Sequence, residues 1–92
     1  MTVLSASAVE QKLGTLKGWK LEGAEIVRHF EFPTFLAAIR FVNQVAEKAE
    51  AANHHPDIDI RYNKVRLALV SHDAGGLTDR DFGLAAAINQ LA

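Results

Sequence analysis

Apolar and polar positions recur along this chain with two different periods, and the changes of period mark its elements. Val9, Leu13 and Leu16 recur along one side between Ser5 and Leu16, which predicts a first helix with Ser5 or Ser7 as its N-cap and an end blurred by Gly14 and Gly18. Trp19-Lys20-Leu21-Glu22 alternates and predicts a strand, Gly23-Ala24 gives a turn, and Ile26 to Phe32 predicts a second strand. Ile26, Arg28, Phe30 and Phe32 share one face of it, with Arg28 as the imperfect member, while His29 falls on the other face with Val27 and Glu31. The short link between the two runs predicts a hairpin.

Pro33-Thr34 closes the second strand and opens a long helix from Phe35 to Ala52, with Thr34 as N-cap. Phe35, Ile39, Val42, Val45, Ala46 and Ala49 are read as its apolar stripe. Asn53-His54-His55-Pro56 breaks the helix, because the residue before proline is biased away from helical geometry. Ile58, Ile60 and Tyr62 then alternate with Asp59 and Arg61, Asn63 marks a tight turn, and Lys64 to Ser71 predicts a fourth strand. Its Val65, Leu67 and Leu69 face one way; Lys64, Arg66, Ala68, Val70 and His72 face the other. After the loop Ala74-Gly75-Gly76, Thr78 opens a last helix that runs close to the C-terminus. The predicted order is α-β-β-α-β-β-α. Hairpins on both sides of a long helix predict an α+β fold: a four-stranded antiparallel sheet with helices packed on one face.

Length and composition narrow the function. The 92 residues fit a single domain, 1–92, with a modest core that association with other copies would help. Hydrophobic residues make up 49% and charged residues 23%, as in ordinary globular domains, and the formal net charge is −1. The chain therefore lacks the basic excess that a generic nucleic-acid binder uses to meet phosphates. There are no cysteines, which excludes disulfides, thiolate catalysis and Cys-ligated metals. The first residues do not form a basic region followed by an apolar run, and no stretch approaches the ~20 apolar residues of a membrane span. A cytoplasmic protein without a membrane segment is expected.

Candidate chemistry gathers at polar breaks. His54 and His55 follow the long helix and His72 ends the fourth strand. Histidine exchanges protons near neutral pH, its ordinary pKa being about 6.5. If the fourth strand runs beside the loop after the helix, the three rings surround one cleft; alternatively each is a solvated or capping residue. At ~100° per residue Glu50 lies about 20° from Ile39, on or beside the apolar stripe, so it is either a frayed helix end or an acid that orients a histidine. Thr78-Asp79-Arg80-Asp81 resembles a capping box, which favours a capping role for Asp81 over a catalytic one. A metal site is disfavoured: no H-E-x-x-H occurs, and adjacent His54 and His55 are poorly disposed to grip one ion.

Glu50, three residues, His54-His55-Pro56, five residues, Tyr62, nine residues, His72, eight residues and Asp81 together resemble the signature of the pterin-4a-carbinolamine dehydratases. Tyr62-Asn63-Lys64-Val65, Ser71-His72-Asp73 with Gly76-Leu77-Thr78, and upstream Gly18-Trp19, Phe30-Glu31-Phe32 and Phe35 extend that resemblance over nearly the whole chain. It departs at Ile58, where members often carry an aromatic residue, and near Ala74, where some carry cysteine. The resemblance implies dehydration of 4a-hydroxytetrahydropterin to quinonoid dihydropterin plus water, which recycles the pterin used by aromatic amino-acid hydroxylases. It implies no metal and no organic cofactor, and a homodimer or homotetramer. Carried onto this chain, it implies His54, His55 and His72 as active-site histidines, with Glu50 and Asp81 as their acidic neighbours. Asn53, His54 and His55, together with Val70, Ser71, His72 and Asp73, are implied to line the pterin. The last helix, with Leu84, Ala85, Ala86, Ala87, Ile88 and Leu91 apolar on more than one side, is expected to bury part of its surface against another copy or against a protein partner.

Overall fold

Ser5, whose side chain accepts the amide of Ala8, starts the first helix, α1, at Ala6–Gly14 in a computed structural model that describes residues 2–92. The helix stops at Gly14, two residues earlier than the apolar spacing predicts, because Thr15 leaves helical geometry and turns its hydroxyl back onto the Lys12 carbonyl. Leu16 is nevertheless buried. Strands β1 (Lys20–Glu22) and β2 (Glu25–Glu31) form the expected hairpin, and helix α2 spans Phe35–Ala52 with Thr34 as its N-cap. Strands β3 (Asp57–Arg61) and β4 (Lys64–Leu69) follow, then helix α3 (Asp79–Asn89). The order is the α-β-β-α-β-β-α order read from the pattern.

The sheet runs β1-β2-β4-β3, and every neighbouring pair is antiparallel. Residues directly opposed in an antiparallel ladder share a face. Ile26 opposes Leu69 and Phe30 opposes Val65, while Ile58 and Ile60 of β3 oppose Leu67 and Val65. This face packs on the helices through Val45 and Ala49 of α2 and Leu84, Ala85 and Ile88 of α3, all in one hydrophobic cluster. Burying an Ile or Leu side chain contributes about 1.5–3 kcal/mol, and Ile26, Leu67, Leu69 and Ile88 are each fully buried. Arg28 sits on the same inward face because Asn89 of α3 receives it. Asn89 Oδ1 accepts both Arg28 Nη1 (2.5 Å) and Trp19 Nε1 (2.8 Å).

Three further sequence expectations are corrected. The buried face of α2 is Ala38, Phe41, Val45 and Ala49, with Val42 beside it, rather than a stripe centred on Phe35, Ile39 and Ala46. At ~100° per residue those three lie roughly 60–100° round the helix from the Ala38–Val45–Ala49 line, so Phe35 and Ala46 stay exposed and Ile39 is half-buried. Helix α3 turns its large apolar residues inward: Phe82, Leu84, Ala85 and Ile88 are buried in the core of the chain itself, leaving mainly Gly83 and Ala86 outward. The exposed large apolar side chains are instead Leu21, Phe35, Leu36, Ile58 and Tyr62, with Val3 near the start of the chain. Strand β4 also ends at Leu69, short of Ser71, which makes an isolated bridge to Gly76.

Candidate active site

The pairing of Asp57 with Ala68 is what assembles the site. It places the segment entering β3, Asn53 to Pro56, beside the segment leaving β4, Val70 to Asp73. Asn53 ends α2 in the left-handed region (φ 49°), which asparagine tolerates better than most residues. The His54 amide then bonds back to the Ala49 carbonyl at 3.1 Å. That sharp turn sends His54 inward and leaves His55 outside: His54 is 8% exposed, whereas the His55 side chain is 58% exposed.

His54 Nε2 lies 2.6 Å from Asp81 Oδ1. Asp81 is fully buried, and its second oxygen, Oδ2, accepts from the Thr78 amide (2.9 Å) and from the Ser71 hydroxyl (2.9 Å). Ser71 Oγ and Thr78 Oγ1 are 2.8 Å apart, and both residues are fully buried. A buried carboxylate is costly unless its oxygens are matched by donors, and here three donors converge on it. It also stands in the first turn of α3, where the helix dipole favours negative charge. The capping box between Thr78 and Asp81 is therefore present as the spacing predicts, and the same carboxylate also holds His54. Asp81 is both a helix cap and the partner of His54.

His55 forms a second pair outside: its Nε2 is 2.5 Å from Glu50 Oε2, with the Glu50 side chain 77% exposed. Glu50 thus leaves the apolar face of α2, yet it is the acid that meets a histidine. His72 is exposed, one residue beyond the buried Ser71, and stands outside both pairs. Asp73 accepts Arg80 Nη2 at 2.6 Å, and this hydrogen bond holds the Asp73 carboxyl below its ordinary range. The ion pair ties the loop carrying His72 to the first turn of α3. Among the remaining residues expected to line a ligand, Asn53 is exposed and Val70 half-buried. Ser71 differs: its amide bonds to the Gly76 carbonyl, its carbonyl receives the amides of Ala74 and Gly75, and its hydroxyl is engaged with Asp81.

Sequence reasoning did not single out Thr78 as a neighbour of Ser71, or Arg80 as the partner of Asp73. A signal for the first pair was available. Position 71 continues the inward phase of Val65, Leu67 and Leu69, so a serine there is a buried hydroxyl that must find a partner. Among the described residues no group of three or more His, Cys, Asp or Glu side chains is placed to hold a metal ion. Among them, too, no helix is long and apolar enough to cross a membrane.

An α+β layer carrying a buried His–Asp pair, an outer His–Glu pair and a third histidine is equipped for proton transfer to and from a small molecule. Comparison with known proteins makes the assignment specific. A family profile described as pterin 4 alpha carbinolamine dehydratase matches residues 2–91. A protein of Acidobacterium capsulatum, provisionally named a pterin-4-alpha-carbinolamine dehydratase, is 64% identical over 91 residues, spanning 99% of each chain. One from Chloroflexus aurantiacus with the same provisional name is 58% identical over 99% of this chain and 98% of its own. A crystal structure from Brucella melitensis, described as a transcriptional coactivator/pterin dehydratase, superposes with a TM-score of 0.94 at 34% identity over 99% of both chains. The chain belongs to the pterin-4a-carbinolamine dehydratase family. The fold also recurs in a pterin dehydratase-like protein identified as a RuBisCO assembly factor, at a TM-score of 0.65 and 20% identity over 80% of this chain and 86% of that one.

Proposed function

We propose that this protein dehydrates 4a-hydroxytetrahydropterin to quinonoid dihydropterin, with the histidine cluster at the His54–Asp81 end of the sheet as its acid–base apparatus. The reaction breaks the bond between carbon 4a and its hydroxyl oxygen while nitrogen 5 loses a proton. An acid delivers a proton to the departing oxygen, which leaves as water, and a base removes the nitrogen proton, so protons balance without an oxidant or reductant. Each positioned transfer contributes typically ~10²–10⁴-fold. His54 and His72 are the acid–base pair in this reading, and His55, backed by Glu50, orients the pterin together with Asn53, Val70 and Asp73. The enzyme would serve aromatic amino-acid hydroxylases by returning their pterin to the cycle, in the cytoplasm.

The observation that carries the reading is the 2.6 Å contact between His54 and a fully buried carboxylate that two further donors, the Ser71 hydroxyl and the Thr78 amide, hold in place. A histidine retained only for solubility has no use for so costly a partner. Single substitutions His54→Ala and His72→Ala test it: turnover is expected to fall at least ~10²-fold in each. Thermal melts establish that the variants are folded, and wild-type turnover in both would end the proposal.

Self-association as a homodimer or homotetramer belongs to the same reading. Phe35 and Leu36 are 50% and 55% exposed and Tyr62 is 70% exposed. The Phe32–Asn63 backbone bond brings the start of α2 and the β3–β4 turn to one end of the molecule. Sizing at several concentrations distinguishes a self-associating enzyme from a monomer that uses these side chains for another protein.

A further inference from the structure

Ser71 has a different use from the residues around it. Its hydroxyl is fully buried, and its amide and carbonyl are already bonded inside the loop. It therefore has nothing left to offer a ligand. What it does have is a contact to Asp81 itself and one to Thr78, whose amide also bonds that carboxylate.

The hydrogen positions in this cluster follow from counting. A carboxylate only accepts, so Ser71 spends its single proton on Asp81 Oδ2. The Ser71–Thr78 contact must then run from the Thr78 hydroxyl to Ser71 Oγ. Thr78 Oγ1 in turn accepts the Arg80 amide at 3.3 Å and the Asp81 amide of the capping box, which its two lone pairs allow. The Thr78 amide is a fixed donor to Oδ2. With both donors on Oδ2, Oδ1 is left to accept from His54 Nε2. The neutral His54 ring is therefore protonated on Nε2, and Nδ1 carries the lone pair.

We propose that Ser71, backed by Thr78, is a positioning residue that orients the Asp81 carboxylate so that His54 presents Nδ1 as the base of the dehydration. This rests on the proposed reaction and settles the division of labour within it. His54 accepts the nitrogen 5 proton, and His72, outside the Asp81 network, serves as the acid that protonates the leaving oxygen. Ser71 also marks where the chain divides its two roles. Position 71 points inward to anchor Asp81, and position 72 points outward with the second histidine.

The tautomer is read directly by nitrogen-15 NMR of the histidine side chains. Wild-type His54 is expected to carry its proton on Nε2; a ring protonated on Nδ1 overturns the proposal with no variant required. Ser71→Ala is expected to lower kcat about tenfold with KM unchanged, since one hydrogen bond to the carboxylate is lost. It should also let an Nδ1-protonated form of His54 appear in the spectrum. Ser71→Cys, closer in volume and a weak donor, is expected to fall between the two. If Ser71 acts through Asp81, its effect on kcat disappears when Asp81 is already asparagine. A raised KM with unchanged kcat in Ser71→Ala makes Ser71 a substrate contact and overturns the proposal, as does an unaltered His54 spectrum. Should wild type show no dehydration at all, the proposed function fails, and the NMR comparison still decides the role of Ser71.

Discussion

Asp81→Asn isolates the contribution of the buried carboxylate with little change in shape. The amide brings one oxygen and one nitrogen to positions where the carboxylate had two acceptors. The Thr78 amide is a backbone donor and cannot reverse, so the asparagine oxygen is forced to its side of the group. The asparagine NH₂ then faces His54 Nε2, where Asp81 Oδ1 had been 2.6 Å away. Two donors cannot share that contact, and His54 is driven to the Nδ1-protonated tautomer, which presents a proton where the reaction needs a lone pair. Hydrogen bonds to charged groups are worth ~1.5–3 kcal/mol against ~0.5–1.5 for neutral ones. Three bonds to Asp81 are weakened, so a loss of about 1–3 kcal/mol is expected. At ~4–8 °C per kcal/mol for a domain of this size, the melting temperature should fall by roughly 5–20 °C. Turnover should fall by ~10²–10⁴-fold because one proton transfer loses its base. Stopped-flow dehydration assays on variant protein held well below its melting point give kcat, and nitrogen-15 NMR gives the tautomer. A folded Asp81→Asn variant within about twofold of wild-type turnover, with His54 still protonated on Nε2, would refute the reasoning.

Other outcomes follow from the same geometry. Glu50→Gln should leave the melting temperature within experimental scatter, because the pair with His55 is mostly exposed and such pairs contribute little; its effect should appear as a raised KM in the dehydration assay. Ile88→Ala, at a fully buried position, should cost about 2–5 kcal/mol in chemical denaturation. Asp73→Asn tests the Arg80 pair through pH. The native Asp73 carboxyl sits below its unfolded value, so its stabilisation is present above about pH 4 and is lost as pH falls through the native value. The difference in stability between wild type and variant should therefore shrink in acid, and a difference that grows on acidification contradicts the pairing.

The chain announces its secondary structure because its punctuation is strong. Thr34 and the Asn53–Pro56 segment bracket α2, Gly23-Ala24 and Tyr62-Asn63 close two hairpins, and the Thr78/Asp81 spacing marks the start of α3. Tyr62, rather than Asn63, takes the left-handed conformation in its turn (φ 54°), a choice that residue preferences do not foretell. The buried face of α2 was harder to see, because Ala38 and Phe41 meet the core while the more conspicuous Phe35 and Ile39 lie on the flank. The same rotation explains Glu50. It lines up with Ile39, but that line is not the core, so the carboxylate is free to meet His55 at the surface. The histidines, Glu50 and Asp81 were legible as a spaced set. The resemblance implied Asp81 as an acidic neighbour of the histidines, but which histidine it meets was not legible, because the pair joins residues 27 apart through a fold that only sheet pairing brings together.

The central claim is tested most directly by following the dehydration of freshly generated 4a-hydroxytetrahydropterin by ultraviolet absorbance, with the spontaneous rate subtracted, for wild type and His54→Ala side by side. The expected result is clear acceleration by wild type that collapses in the folded variant. Wild-type protein that leaves the spontaneous rate unchanged, or a His54→Ala variant that matches wild type, contradicts the assignment of this site.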